Sequence, residues 1–170
     1  MLHADGSVQR DEVMPPLLRA MTAILPVVLA GVLGNLATSP NISGWYAGLT
    51  KPGFTPPNFV FGPVWSVLYA LMAAALWRIL SVPRTRPGRG AALTAFFVQL
   101  ALNAAWSFAF FAAHSPLAGL VVIGALVAAI LATIRLFWPL DRLAAVLLVP
   151  YAAWVGYAAM LNLAIWRLNA

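Results

Sequence analysis

The chain has 170 residues, 63% of them hydrophobic and only 8% charged, with a formal net charge of +6 and no cysteine. A soluble domain of this length needs far more charge to cover its surface, so lipid must solvate much of it; the missing thiols exclude disulfides, thiolate catalysis and thiolate metal sites. The ten Lys and Arg stand in short polar pieces between apolar runs and form no basic stripe, which argues against nucleic acid as a partner.

Residues 1–16 read as a polar, disordered N-terminal tail carrying His3, Asp5, Arg10, Asp11 and Glu12. Its acids, and its lack of an early apolar core, argue against a cleaved targeting peptide. Residues 17–169 predict an all-α integral membrane bundle of five transmembrane helices, since each span consumes about 20 apolar residues. The first is expected at about 17–38, with Pro26 as a kink that neighbouring helices can tolerate. A long connection, 39–58, follows. It holds Pro40, Gly44, Pro52, Gly53, Pro56 and Pro57, too many breakers for a regular helix. It is also apolar, with Trp45, Tyr46 and Phe54, so it is expected to pack back over the bundle as a lid. The second span is expected at 61–80, with Pro63 in its first turn, and a basic, turn-rich linker (SVPRTRPGRG) leads to the third at 91–113. Ser115-Pro116 reads as an N-cap and first helical residue opening a fourth span, 116–137. The fifth is expected at 143–166, with Pro150 as an internal kink.

An odd number of spans puts the two ends of this region on opposite sides. One side then carries Arg10, Arg19, Arg78, Arg84, Arg86, Arg89, Arg135 and Arg142, and the other only Lys51 and Arg167. This bias places the N-terminus inside and the long connection outside in a membrane obeying the positive-inside rule. A bacterial cell membrane is the expected location, with an outer membrane, which need not obey the rule, as the alternative.

Inside the spans, Gln99, Asn103 and Ser107 recur every four residues and so share a helical face, bordered by Trp106. Such side chains turn inward from lipid, either as interhelical hydrogen bonds or as the polar spot of a ligand site. Trp65, Tyr69 and Met72 make a stripe on the second span, and Pro150, Trp154, Ala158 and Asn162 one on the fifth. Trp45, Trp138 and Trp166 sit at span ends, the usual interfacial place for Trp, whereas Trp106 and Trp154 lie within spans. At 1.5 Å per residue, Trp65 lies roughly 6 Å, Trp106 about 10 Å, Ala158 about 12 Å, Asn103 about 15 Å and Trp154 about 18 Å from the long-connection side. All fall in one half of the bundle. Apolar walls with a few polar groups make a ligand pocket, and Ala158 among larger neighbours leaves room for one. On the far side of the third span, Ala101, Ala105 and Ala109 repeat a small-xxx-small pattern that suits either a homodimer seam or packing within the chain.

Conventional catalytic groups are sparse. The acids are Asp5, Asp11, Glu12 and Asp141, none within a span, so no carboxylate pair is placed for buried acid–base work. His114 stands at a span end as an interfacial residue rather than a haem ligand, and no metal cluster or phosphate-binding glycine motif is expected.

The stretch WYAGLTKPGFTPPNFVFGPVWSVLYALMAAALW, residues 45–77, resembles the TspO family, the tryptophan-rich sensory proteins related to the mitochondrial translocator protein or peripheral-type benzodiazepine receptor. QLALNAAWSFAFF, residues 99–111, resembles that family's third span, and LLVPYAAWVGYAAMLNLAIWRLN, residues 147–169, its last. The resemblance covers roughly residues 20–169 in the family's order. It implies a five-helix bundle, often a homodimer, that takes tetrapyrroles such as protoporphyrin IX or haem as ligands rather than cofactors, and also sterols and benzodiazepine-like compounds. Carried over by motif position, the pocket would include Tyr46, Pro56, Phe61, Trp65, Tyr69, Asn103, Trp106, Trp154, Ala158 and Asn162. The same resemblance links Trp65 and Trp154 to light-dependent porphyrin breakdown, an enzymatic alternative to sensing or transport. One departure bears on ligand class. The L/V-x-Y-x-K/R sterol motif of mammalian members is incomplete, because Ala164-Ile165-Trp166-Arg167 follows Leu163 and Tyr157 is too far from Arg167. Tetrapyrrole therefore ranks above sterol.

Overall fold

A computed structural model describes residues 14–170, so most of the expected N-terminal tail lies outside the described residues. The described chain is helical: α1 (Pro16–Asn41), α2 (Asn58–Leu80), α3 (Arg89–Ser107), α4 (Pro116–Phe137), α5 (Arg142–Leu147) and α6 (Val149–Leu168). Single π-helical turns, Ile42–Tyr46 and Phe108–Ala112, prolong α1 and α3. Five continuous segments are long and apolar enough to cross a bilayer, the fifth made of α5 and α6 together. Helix is the form expected in hydrocarbon, where every backbone N–H and C=O must be satisfied within its own segment.

The first helix departs from expectation. Instead of ending near residue 38 it runs through Pro40 and the π turn to Gly48, so the irregular connection shrinks to residues 49–57. Pro40 cannot donate to the preceding turn, yet the helix continues past it, with a side-chain bond on either side. Asn41 Nδ2 donates to the Ala37 carbonyl at 2.9 Å, and Ser39 Oγ donates to Asn35 Oδ1 at 2.7 Å. The proline does not end the helix, and a π turn follows two residues later. Pro150 acts more strongly: the fifth segment breaks at Leu148, and Pro150 occupies the first turn of α6.

The helices form a ring in the order α1, α2, α5–α6, α4, α3, with α3 packed most extensively on α4 and α4 on α6. α2 leans on α1 and α5 and touches α6 and α3 only sparingly. The bundle is consequently tight at the end carrying the arginines and looser at the other. In the tight half Met72, Ala75, Leu76, Ile79, Phe96 and Phe137 are completely buried, and Phe96 stacks on Phe137 at 6.0 Å. Polar staples close this basic end. Arg89 caps α2 by donating to the Ile79 and Leu80 carbonyls, Arg19 donates to Ser81 Oγ at 2.6 Å while lying over Trp77, and Arg78 pairs with Asp141 at 2.8 Å. Asp141 also caps α5 through the Ala144 N–H. Partial burial works to raise the Asp141 carboxyl, but the Arg78 guanidinium and the backbone donors outweigh it and hold it below the usual carboxylate range.

At the other end, Ser115 caps α4 and His114 precedes it with φ of 51°, a left-handed conformation. The His114 ring compensates by stacking on Trp45 at 4.9 Å and sharing a 2.8 Å hydrogen bond with Asn41 Oδ1. The α3–α4–α6 contact here depends on Gly119, where a Cβ would meet Asn162 Oδ1 at 2.8 Å and Phe110 Cβ at 2.9 Å. Gly124, on the same helix, has open space at that position. Gly119→Ala should therefore lower the thermal unfolding midpoint in detergent, at a cost of about 1–3 kcal/mol. Gly124→Ala should leave it unchanged or raise it, by up to about 1 kcal/mol of helix propensity. Equal midpoints in the two variants would show that Asn162 and Phe110 give way freely.

Candidate functional site

The sparse contact of α2 with α3 and α6 leaves a cavity of about 660 Å³ in the half away from the arginines. That volume lies in the range of small-molecule sites. Its wall is largely aromatic. Trp65, Tyr69 and Phe61 come from α2, Trp106 and Phe111 from α3 and its π turn, Trp154 and Ala158 from α6, and Tyr46 from the π turn after α1. The rings support one another: Trp65 lies 5.4 Å from Tyr69 and 6.3 Å from Tyr151, and Phe61 lies 5.8 Å from Trp154. Above them Tyr46, Phe110 and Phe111 form a second packed cluster, with Trp45, Phe61 and Trp106 against it. The two π turns face each other across this cluster, since a π turn accommodates an extra residue and re-aims the side chains that follow.

Polar groups fix the wall. Asn103 accepts from the Tyr69 hydroxyl at 3.1 Å and donates to the Tyr151 hydroxyl at 3.1 Å, joining α2, α3 and α6 at the deepest level of the cavity. Ser107, one turn higher, lines the cavity and abuts Gly34, where a Cβ would stand 3.2 Å from its hydroxyl. Gln99, one turn lower, is 1% exposed, and neither amide atom has a protein partner. The polar face of α3 therefore divides. Asn103 both bonds helices and lines the cavity, Ser107 lines it, and Gln99 does neither. Trp154 brings one further feature: its indole N–H is buried in the wall with no acceptor.

Eight of the ten residues singled out from sequence line this cavity: Tyr46, Phe61, Trp65, Tyr69, Asn103, Trp106, Trp154 and Ala158. The other two do not. Asn162 is 2% exposed and stands behind the wall, accepting from the Trp106 indole N–H at 3.1 Å and donating to the Pro116 carbonyl at 2.7 Å. Pro56 lies in the connection, and no residue of 49–57 lines the cavity. That segment is tied to α6 instead. Asn169 Oδ1 accepts from Thr50 N at 2.9 Å, its Nδ2 donates back to the Thr50 carbonyl at 2.9 Å, and the Tyr157 hydroxyl donates to the Phe54 carbonyl at 2.6 Å. Of the connection expected at 39–58 as a lid, Ile42, Tyr46 and Asn58 line the cavity, all three in helical turns rather than in an irregular loop.

Sequence reasoning missed the whole contribution of α1, which supplies Val28, Gly31, Val32, Gly34, Asn35 and Leu36. Gly31 lets the Tyr69 ring approach to where a Cβ would be 3.0 Å away. The Gly31, Gly34, Asn35 and Thr38 spacing was the available signal, a small and polar face on an otherwise aliphatic helix. Val28, Val32 and Leu36 on α1, with Gly62 and Ser66 on α2, are also exposed, so the cavity opens sideways between α1 and α2 onto the surface that lipid covers.

Comparison with known proteins gives a consistent answer over nearly the whole chain. The model of the TspO/MBR family matches residues 22–167. The chain is 42% identical to the tryptophan-rich protein TspO of Archaeoglobus fulgidus over 91% of its own length and 99% of that protein's. It is 38% identical to the translocator protein of Sus scrofa, over 85% and 90% of the two chains. It is also 38% identical to the tryptophan-rich sensory protein of Cereibacter sphaeroides, over 74% and 77%.

The Asn103 bridge is testable as a coupling. Tyr151→Phe in the otherwise unaltered chain strands the Asn103 amide and should cost about 1–3 kcal/mol in unfolding. In an Asn103→Ala background, where the bond is already gone, the same substitution should cost clearly less, a coupling of about 0.5–3 kcal/mol. Additive losses would mean that the two side chains contribute independently.

Proposed function

Because the chain belongs to the TspO/MBR family and is an integral, multi-pass membrane protein, we propose that it is a membrane-embedded binding protein of the sensor or transporter type for tetrapyrroles such as protoporphyrin IX. Benzodiazepine-like compounds and sterols are further ligands of the same site. The observation that carries this reading is the aromatic cavity, walled by Trp65, Trp106 and Trp154. A planar, largely apolar ligand would stack on Trp65 and Trp106 in this wall. The lateral opening between α1 and α2 suits a ligand that partitions into the bilayer. The names sensory protein and translocator protein, carried by relatives, fit either mode of use.

A second reading rests on the same wall. Trp65 and Trp154 both border the cavity, so a bound porphyrin would lie against two oxidisable indoles, and light-driven porphyrin breakdown becomes the enzymatic alternative. Titrating protoporphyrin IX into the purified full-length protein in detergent, in darkness and then under illumination, separates the readings. Binding with a stable absorbance spectrum supports the binding protein, and light-dependent loss of the porphyrin bands supports the enzyme. Trp65→Phe should weaken binding by about fivefold or more, and Ala158→Leu should weaken it by filling the cavity. Affinities unchanged in both variants would put the ligand elsewhere.

Two features of assembly accompany this proposal. The protein sits in a bacterial cell membrane with its arginine-bearing end inside, and it pairs as a homodimer along α3. Ala101 and Ala105 are exposed and Ala109 is half-buried, on the side of α3 away from Asn103, which supports a close helix–helix seam there. The lack of native cysteine allows both to be tested with single-cysteine variants. Thr50→Cys should be labelled by an impermeant thiol reagent in intact cells and Arg86→Cys protected, while Ala105→Cys should form an intermolecular disulfide in membranes under oxidation. The reverse labelling would invert the orientation, and the absence of any Ala105 crosslink would move the seam to another helix.

A further inference from the structure

Among the described residues, no Lys, Arg, Asp or Glu lines the cavity. A ligand bearing carboxylates, as the tetrapyrroles of the proposed function do, would therefore find no charge partner inside, and burying a carboxylate unpaired is strongly unfavourable. Its acid groups must instead emerge where a cation waits. One stands next to the wall. The Lys51 ammonium lies 4.7 Å from the ring centroid of Tyr46, itself a lining residue.

Three observations fit Lys51 to this task. Its ammonium donates to the Ala47 carbonyl at 3.2 Å and the Leu49 carbonyl at 3.1 Å; an ammonium has three donors, so one remains for a ligand. Its charge is uncompensated, because the single ion pair among described side chains, Arg78–Asp141, is at the opposite end of the bundle. Its backbone is also held in place. The two-way Asn169–Thr50 clasp fixes the residue before it, and Pro52 restricts it from the other side. The remaining cation of this end, Arg167, is exposed in the last turn of α6.

We propose that Lys51 is the specificity-determining cation of the site: it takes a ligand carboxylate presented past Tyr46, and so selects apolar ligands bearing an acid over neutral ones of the same shape. This rests on the porphyrin-binding reading above, and the test separates the two. Protoporphyrin IX and its dimethyl ester share a ring but differ in charge. Their dissociation constants would be measured by tryptophan fluorescence quenching with the full chain in a neutral detergent. Lys51→Met keeps the aliphatic stem over Tyr46 and removes the charge. It should weaken binding of the diacid by roughly three- to tenfold and leave the ester within about twofold. Lys51→Arg should keep the preference for the diacid, and raised salt should shrink that preference in the unaltered protein and in Lys51→Arg but not in Lys51→Met. Equal effects of Lys51→Met on diacid and ester, or an equal loss of the diacid in Arg167→Gln, would overturn the assignment to Lys51. Failure of both porphyrins to bind the unaltered protein would instead overturn the ligand reading on which it rests.

Discussion

At the deepest level of the cavity the Asn103 amide accepts from Tyr69 and donates to Tyr151, so one side chain holds α2, α3 and α6 together. Apolar attraction cannot do this work in a bilayer, since lipid tails are as apolar as leucine and helices are held by close packing and polar bonds. The bridge marks the change between two regimes. Toward the arginines, Met72, Leu76, Ile79, Phe96 and Phe137 fill the bundle completely. On the other side of the bridge, α2 parts from α3 and α6 and the space is left open.

The break at Leu148 explains how both regimes fit in five spans. α5 packs on α2 before the break, and α6 follows a separate course to α4 after it. A continuous helix through Pro150 would lack the hydrogen bond its ring forbids. Breaking the helix there releases the constraint at the depth where the cavity begins. The π turns at Ile42–Tyr46 and Phe108–Ala112 do the complementary work at the other end. They turn Tyr46, Phe110 and Phe111 toward one another, with Phe111 5.5 Å from Tyr46 and 4.8 Å from Phe110, and this roofs the space that α6 leaves.

The two ends of the molecule are secured by different chemistry. Arginines bound to carbonyls, to a hydroxyl and to Asp141 staple the filled end. The cavity end is held by bonds that involve no carboxylate, the Asn169–Thr50 clasp, the Tyr157–Phe54 contact and the His114–Asn41 pair, which leave Lys51 and Arg167 without an acidic partner among the described side chains. In the proposed function, a cation without a counter-charge beside an uncharged aromatic cavity would suit a ligand with an apolar body and an acidic edge.

By itself the sequence determined the solvent, the helical class and the inward faces. Composition demands lipid, unbroken apolar runs of about 20 residues demand helices rather than barrel strands, and a polar residue recurring every four positions turns away from hydrocarbon. Asn103 is legible for that reason, and Trp65, Tyr69, Trp106, Trp154 and Ala158 by their depth in one half of the bundle and by their resemblance to the family's spans. Where periodicity was silent or misleading, only the tertiary structure decided. Gly31 and Gly34 define the wall by what they lack, which shows only once Tyr69 and Ser107 are seen against them. Asn162 shares the spacing of Trp154 and Ala158, yet Trp106 and the start of α4 claim its amide and place it behind the wall. Local propensity makes Pro40 and Pro56 parts of one lid, but the helix runs on past Pro40, and Asn169, more than a hundred residues away, holds the remaining connection down on α6. A helix period tells which side faces inward; which neighbour stands there depends on the order of packing, and that order is a property of the whole chain.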